Sequence, residues 1–161
     1  ATIVAPIDVG RAREVQFLRR SLEGEVVRQL ALEPTRAPID PLRGLIRQQK
    51  AFADLGEHAA FAVADQAFHQ MMFAATGMEA LWHLMRRNYG QMDRLRRLHL
   101  PELGKTRDIV GEHSAIIDAI AAGDPDGAQA AMRRHLSHSI DFIATLRQRH
   151  PEYFHGAARA G

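Results

Sequence analysis

Apolar residues recur every three or four positions along almost the whole chain, the period of a helix with one buried face. Between Arg11 and about Glu33 the stripe is Val15, Leu18, Leu22, Val26 and Leu30, and Pro34 ends it. Pro34 to Pro38 reads as a linker. Asp40-Pro41 then predicts an N-cap followed by proline at the first helical position, for a helix running to about Leu55 and broken by Gly56. A third helix is expected from about His58 to Ala75, stopping at Gly77. A fourth follows from Glu79 to about His99, with Leu81, Leu84, Met85, Met92 and Leu95 facing inward. Pro101 to Lys105 is a turn, and the fifth helix is expected from about Thr106 to Ala122, closed by Gly123. Asp124-Pro125 repeats the cap-plus-proline start for a sixth, which runs to about Arg149 before Pro151. No strand pair or internal repeat interrupts the pattern. It predicts an all-α antiparallel bundle of six or seven helices with short connections.

The ends read differently. Residues 1–8 open with Ala-Thr-Ile-Val-Ala-Pro-Ile, β-branched and closed by a proline, and are expected to be a strand end or extended lead-in. The bundle itself is assigned to residues 9–150. The stretch 151–161 is rich in small residues and is expected to fray.

Composition narrows the class without naming it. A chain of 161 residues can bury a real core as one domain. A net charge of +2 is too small to argue for nucleic acid or a membrane surface as partner of this stretch. The absence of cysteine excludes disulfides and thiolate zinc sites and suits a reducing cytosol. With no apolar run long enough to span a bilayer and no signal-peptide pattern, a soluble cytoplasmic protein with no membrane contact is expected.

Against this ordinary background four residues stand out. Asp65 and His69 are four apart, so on a helix they stand one above the other, on the face that also carries Phe61, Phe68 and Met72. A carboxylate facing a core is costly unless a charge meets it. His113 falls in the stripe Ile109, His113, Ile116, Ile117, Ile120, and His135 in Ala128, Met132, His135, Ser139, Phe142. Taken singly, each histidine reads as a core residue satisfied by a neighbour, and Asp65 as a buried cap or arginine pair. Together, one carboxylate and three imidazoles projected inward from three helices read as ligands of one divalent metal ion. Zinc, nickel, cobalt, iron and manganese all suit that donor set. His138, three residues beyond His135, sits at the edge of its stripe and is expected beside the site or at the surface. His58, His83, His99, His150 and His155 read as end-of-helix or solvent-facing residues.

The motifs carry a resemblance. Asp65-x-x-Phe68-His69 near Thr76-Gly77, then Glu112-His113 with Ile116-x-x-Ala119-Ile120-x-x-Gly123-Asp124, and Ala128-x-x-Ala131-Met132-x-x-His135-Leu136, resemble the FCD domain. That is the FadR C-terminal domain, the effector-binding half of many GntR-type bacterial transcription regulators. The resemblance covers about residues 11 to 150. It implies that Asp65, His69, His113 and His135 hold one divalent metal whose open positions face a pocket for a small organic-acid effector. It implies a homodimer, and DNA binding through an N-terminal winged-helix domain absent from this chain, whose last strand Thr2-Ile3-Val4-Ala5 resembles. Met78 departs from the family, which usually has asparagine there.

Two further residues are expected at the effector. Arg19 lies on the inner stripe of the first helix, and Arg19-x-x-Leu22-Glu23 resembles the family signature whose arginine contacts effector carboxylate; a salt bridge to Glu23 is the equally weighted alternative. Asn88 interrupts the stripe of the fourth helix and reads as a pocket hydrogen-bonder or a buried structural amide. Arg86, Arg87, Arg94 and Arg97 read as a solvated face, and Trp82 as part of a surface covering an interface. The expected function is a metal-containing, ligand-sensing domain and not an enzyme. A mononuclear metalloenzyme is the competing reading, since such a metal could activate water. No separate general base faces the site, and the one Glu-x-x-His pair, Glu152 to His155, lies in the tail.

Overall fold

Prolines and glycines divide the chain much as the pattern demands, into helices too apolar on one face to stand alone. The computed structural model describes residues 5–154, the side chain of Ser139 excepted. Among these residues there are eight α-helices. They are α1 (Val9–Leu32), α2 (Ile39–Leu55), α3 (His58–Ala75), α4 (Glu79–Arg86), α5 (Gly90–His99), α6 (Lys105–Ala121), α7 (Pro125–Asp141) and α8 (Ile143–Arg149). Single 3-10 turns follow α1 and α8, at Pro34–Arg36 and Pro151–Tyr153.

Local chemistry sets most of the boundaries. Asp8 and Asp124 cap α1 and α7, their carboxylates accepting from the amides of Arg11 at 3.0 Å and Gly127 at 2.9 Å. Gly56 and Gly123 close α2 and α6 at φ 71° and 66°, a backbone that a side chain would strain. The second helix begins two residues earlier than expected. Pro38 occupies its N-cap and Asp40 lies in the first turn without capping.

Two expected helices are each broken in two. Between α4 and α5 the amides of Asn88 and Tyr89 turn to carbonyls three residues back, Met85 and Arg86, instead of four. This tightened turn rotates α5 relative to α4. Tyr89 swings into the core, while Asn88 and Leu84 face outward. The sixth expected helix is interrupted at Phe142, and α8 continues beyond it.

α1 packs along α7, α6 along α7, and α2 along both α3 and α6. The core gathers where α3, α6 and α7 meet, around Phe68, Met72, Ile116, Ile117, Met132 and Leu136, each almost fully enclosed. Trp82 belongs to this core, packed on Phe73 at 5.7 Å between ring centroids, and is not an interface residue as expected. The large apolar side chains left in solvent are others, among them Leu103, Phe17 and Leu55, the last two at 75% exposure each.

The ends of the described chain meet. Ile7 forms a parallel bridge with Phe154 and donates its amide to the Tyr153 carbonyl at 2.6 Å, with both Ile7 and Phe154 buried. Pro151 to Phe154 are therefore seated, not frayed. Helix α5 grips the segment ahead of α1: Gln91 accepts the Asp8 amide at 3.0 Å, and Arg94 donates to the carbonyls of Pro6 and Ala5. The wing-like residues Thr2, Ile3 and Val4, the tail 155–161 and His155 lie outside the described residues.

Candidate metal centre

Three of the four expected ligands converge. His69 from α3, His113 from α6 and His135 from α7 present ring nitrogens that all lie within 4.8 Å of one another, with every ring buried. Phe68 stacks on His113 with ring centroids 4.1 Å apart and floors the site. Asp65, one turn before His69, lies beside them with Oδ1 3.8 Å from His113 Nε2 and no solvent exposure.

Each imidazole has its Nδ1 against an oxygen from another helix. Glu23 of α1 stands 2.6 Å from His69, Gln49 of α2 2.7 Å from His113, and Glu112 of α6 2.8 Å from His135. In His113 and His135 the acceptor hydrogen-bonded at Nδ1 places the proton there and leaves the Nε2 lone pair free. The acceptors are themselves held. Arg19 donates to Glu23 at 2.5 Å, the Gln49 amide donates to the Ala64 carbonyl at 3.2 Å, and His138 pairs with the second oxygen of Glu112.

With the tautomers so arranged, the Nε2 atoms of His113 and His135 face each other at 3.3 Å, lone pair to lone pair. Two acceptors at that distance repel unless a cation lies between them. Two imidazoles bound to one ion at about 2.1 Å, at right to tetrahedral angles, would stand about 3.0 to 3.4 Å apart. Both oxygens of Asp65 and Nδ1 of His69 also lack a directed hydrogen bond, although Arg96 and Glu23 stand close to them. A buried Asp65 Oδ1 turned to the histidines and facing imidazole lone pairs fit a cation, and this donor set suits a divalent transition metal.

The charges around the site explain its titration. Burial and the neighbouring imidazole His135 push His113 well below the ordinary histidine value. Burial and His69 do the same to His135, so both rings are neutral at pH 7. Burial alone would raise Asp65 and Glu23. Arg96 and the imidazoles hold Asp65 below the carboxylate range, and Arg19 with His69 holds Glu23 there.

The remaining candidates divide. Arg19 is buried and forms the salt bridge to Glu23, while its Nη2 lies 3.4 Å from His69 Nε2. Asn88 is exposed, donates to the Leu84 carbonyl of its own turn, and does not reach the histidines. His138 is half exposed and reaches the site only through Glu112. His99, read as an end-of-helix or solvent-facing residue, is the last residue of α5 but is 5% exposed and stacks on Phe142 at 4.2 Å.

Sequence reasoning misses Gln49, Glu112 and Arg96. Gln49 extends the apolar stripe Leu42, Ile46 on α2, and an amide there is a readable signal. Glu112 adjoins His113, which marks it only once the site is known. Arg96 pairs with Asp65 at 2.5 Å across two helices distant in sequence, which no local pattern records.

A helical bundle whose buried faces carry this constellation belongs to the FCD domain family, which matches residues 14–138. Over 154 residues the chain is 35% identical to a protein of Streptomyces ambofaciens described as an uncharacterized HTH-type transcriptional regulator in unstable DNA locus. That similarity takes in 95% of this chain and 64% of the relative, so the chain spans under two thirds of the relative's length. Both likenesses place the chain among regulatory domains and not among enzymes. None of the described helices is long and apolar enough to cross a membrane.

Proposed function

We propose that this chain is the ligand-sensing part of a DNA-binding transcription regulator, holding one divalent metal and responding to a small organic acid. His69, His113 and His135 would hold the ion, with Asp65 as fourth ligand. The observation that carries this reading is the pair of Nε2 atoms facing each other at 3.3 Å, each with its Nδ1 committed to an acceptor on another helix. When bound, the metal would supply a Lewis-acidic point at which a carboxylate oxygen is a favourable hard donor. The chain's own residues do the rest. Gln49 and Glu112 fix the tautomers of His113 and His135, Glu23 sets a carboxylate beside His69, Phe68 excludes water, and Arg19 brings a buried guanidinium edge to the same centre. The regulator reading rests on the family and on the relative's description, and it includes a homodimer and a separate N-terminal DNA-binding domain.

The test is thermal denaturation of metal-stripped protein with zinc, nickel, cobalt, iron(II) or manganese, alone and with a panel of hydroxy, keto and dicarboxylic acids. One or more metals should raise Tm at one equivalent, and an acid should raise it further in the loaded protein. No shift with any metal would refute the metal centre. A metal shift with no response to any acid would refute the sensing role.

A further inference from the structure

Arg96 joins the buried centre to the outside. Its Nη2 stands 2.5 Å from Asp65 Oδ2, while Asp65 Oδ1 faces the histidines, so one carboxylate lies between the centre and the guanidinium. Arg96 also lines an open groove of about 430 Å³ between α3 and α5. Ala59, Ala62, Val63 and Leu100 make the groove apolar, and Arg97 adds an exposed guanidinium to it. His58 contributes a buried Nδ1 without a partner. The single carboxylate there, Asp93, is neutralised by both arms of Arg86 at 3.1 and 3.0 Å. The exposed guanidinium of Arg97, with Arg96 behind it, over an apolar floor matches a small aliphatic carboxylate.

We infer that this groove is a carboxylate-binding regulatory site, and that Arg96, shared between the bound anion and Asp65, couples it to the metal centre. The inference rests on the metal reading above. In the metal-free protein, an anion that draws Arg96 outward strips Asp65 of its counter-charge, and an uncompensated buried carboxylate is costly. With a cation among the histidines, Asp65 is already matched and Arg96 is free to turn its fork to the groove. Metal and anion therefore bind with positive, reciprocal coupling.

Butyrate is a suitable probe and butanol its uncharged control. Calorimetry should show butyrate binding about tenfold tighter to zinc-loaded than to zinc-free protein, within the usual range of coupling between sites. Saturating butyrate should tighten zinc by the same factor in chelator competition, and butanol should do nothing. Arg96→Gln should lose butyrate binding. Ala59→Leu fills the groove from a position six residues from Asp65 on α3, so it should lose butyrate and keep the butyrate-free zinc affinity of the wild type. Equal butyrate affinity in loaded and stripped protein overturns the coupling. Coupling that survives both variants would put butyrate on the metal itself, overturning the groove site but leaving the metal reading intact. Failure of the wild type to take one equivalent of zinc overturns the metal reading, and the coupling with it.

Discussion

Acidification of the metal-free protein should cost it a defined amount of stability. His113 and His135 are buried and held neutral well below pH 6.5, whereas in the unfolded chain each takes up a proton near that value. Above pH 6.5 both states carry neutral rings and the two residues contribute nothing to the pH dependence. Below it the unfolded state binds protons that the fold refuses, so stability falls as pH falls. One unit down, at pH 5.5, each ring costs about 1.4 kcal/mol, and the pair about 3 kcal/mol, out of the ~5–15 kcal/mol typical of a domain. His99, lowered to about 4 by burial and then by Lys105, acts in the same direction. Asp65 and Glu23 do not blur the measurement, because both are ionised in fold and coil across this interval. Urea denaturation followed by circular dichroism, with a chelator present, at pH 7.5, 6.5 and 5.5, gives the profile. A flat profile, or stability rising toward pH 5.5, would refute the burial of neutral imidazoles on which the metal centre depends.

The same geometry sets three further outcomes. His135→Ala should abolish one equivalent of bound metal while His138→Ala retains it; elemental analysis showing the reverse would mean that the wrong face of α7 has been assigned to the site. Gln49→Leu and Glu112→Gln should each weaken metal about 10- to 100-fold in chelator competition by freeing a ring that Nδ1 now anchors, and undiminished affinity would show that those bonds do not position the ligands. Sedimentation should find a homodimer at micromolar concentration, and a monomer there would remove the two-fold arrangement from the regulator reading.

Much of this site is legible in the sequence because its residues violate a simple rule. Asp65, His69, His113 and His135 interrupt apolar stripes, and a polar side chain at a core position needs a reason. Helical period alone places them inward, and the three histidines do meet. What it cannot supply is the partner across the bundle. Arg96 is one of several arginines on α5, and only the packing of α5 against α3 distinguishes it from the exposed Arg97. Asn88 departs from expectation for a local reason. A stripe counted at a constant 100° per residue puts it inward, but the tightened turn after Arg86 exchanges Asn88 for Tyr89 at the inner position. Trp82 is ambiguous from composition, since a lone large aromatic suits a core as well as an interface.

The short helix α5 has two opposed grips. Arg96 reaches Asp65, while Gln91 and Arg94, three apart on another side of the same helix, hold the backbone of Ala5 to Asp8. Ten residues of α-helix make a rod of about 15 Å, stiff over that length. Being stiff over that length, it ties the position of the Arg96 guanidinium to that of Ala5 to Asp8. The Ile7–Phe154 bridge anchors that same segment to the opposite end of the described chain. The site and one short stretch of main chain are thus held by the same ten-residue helix.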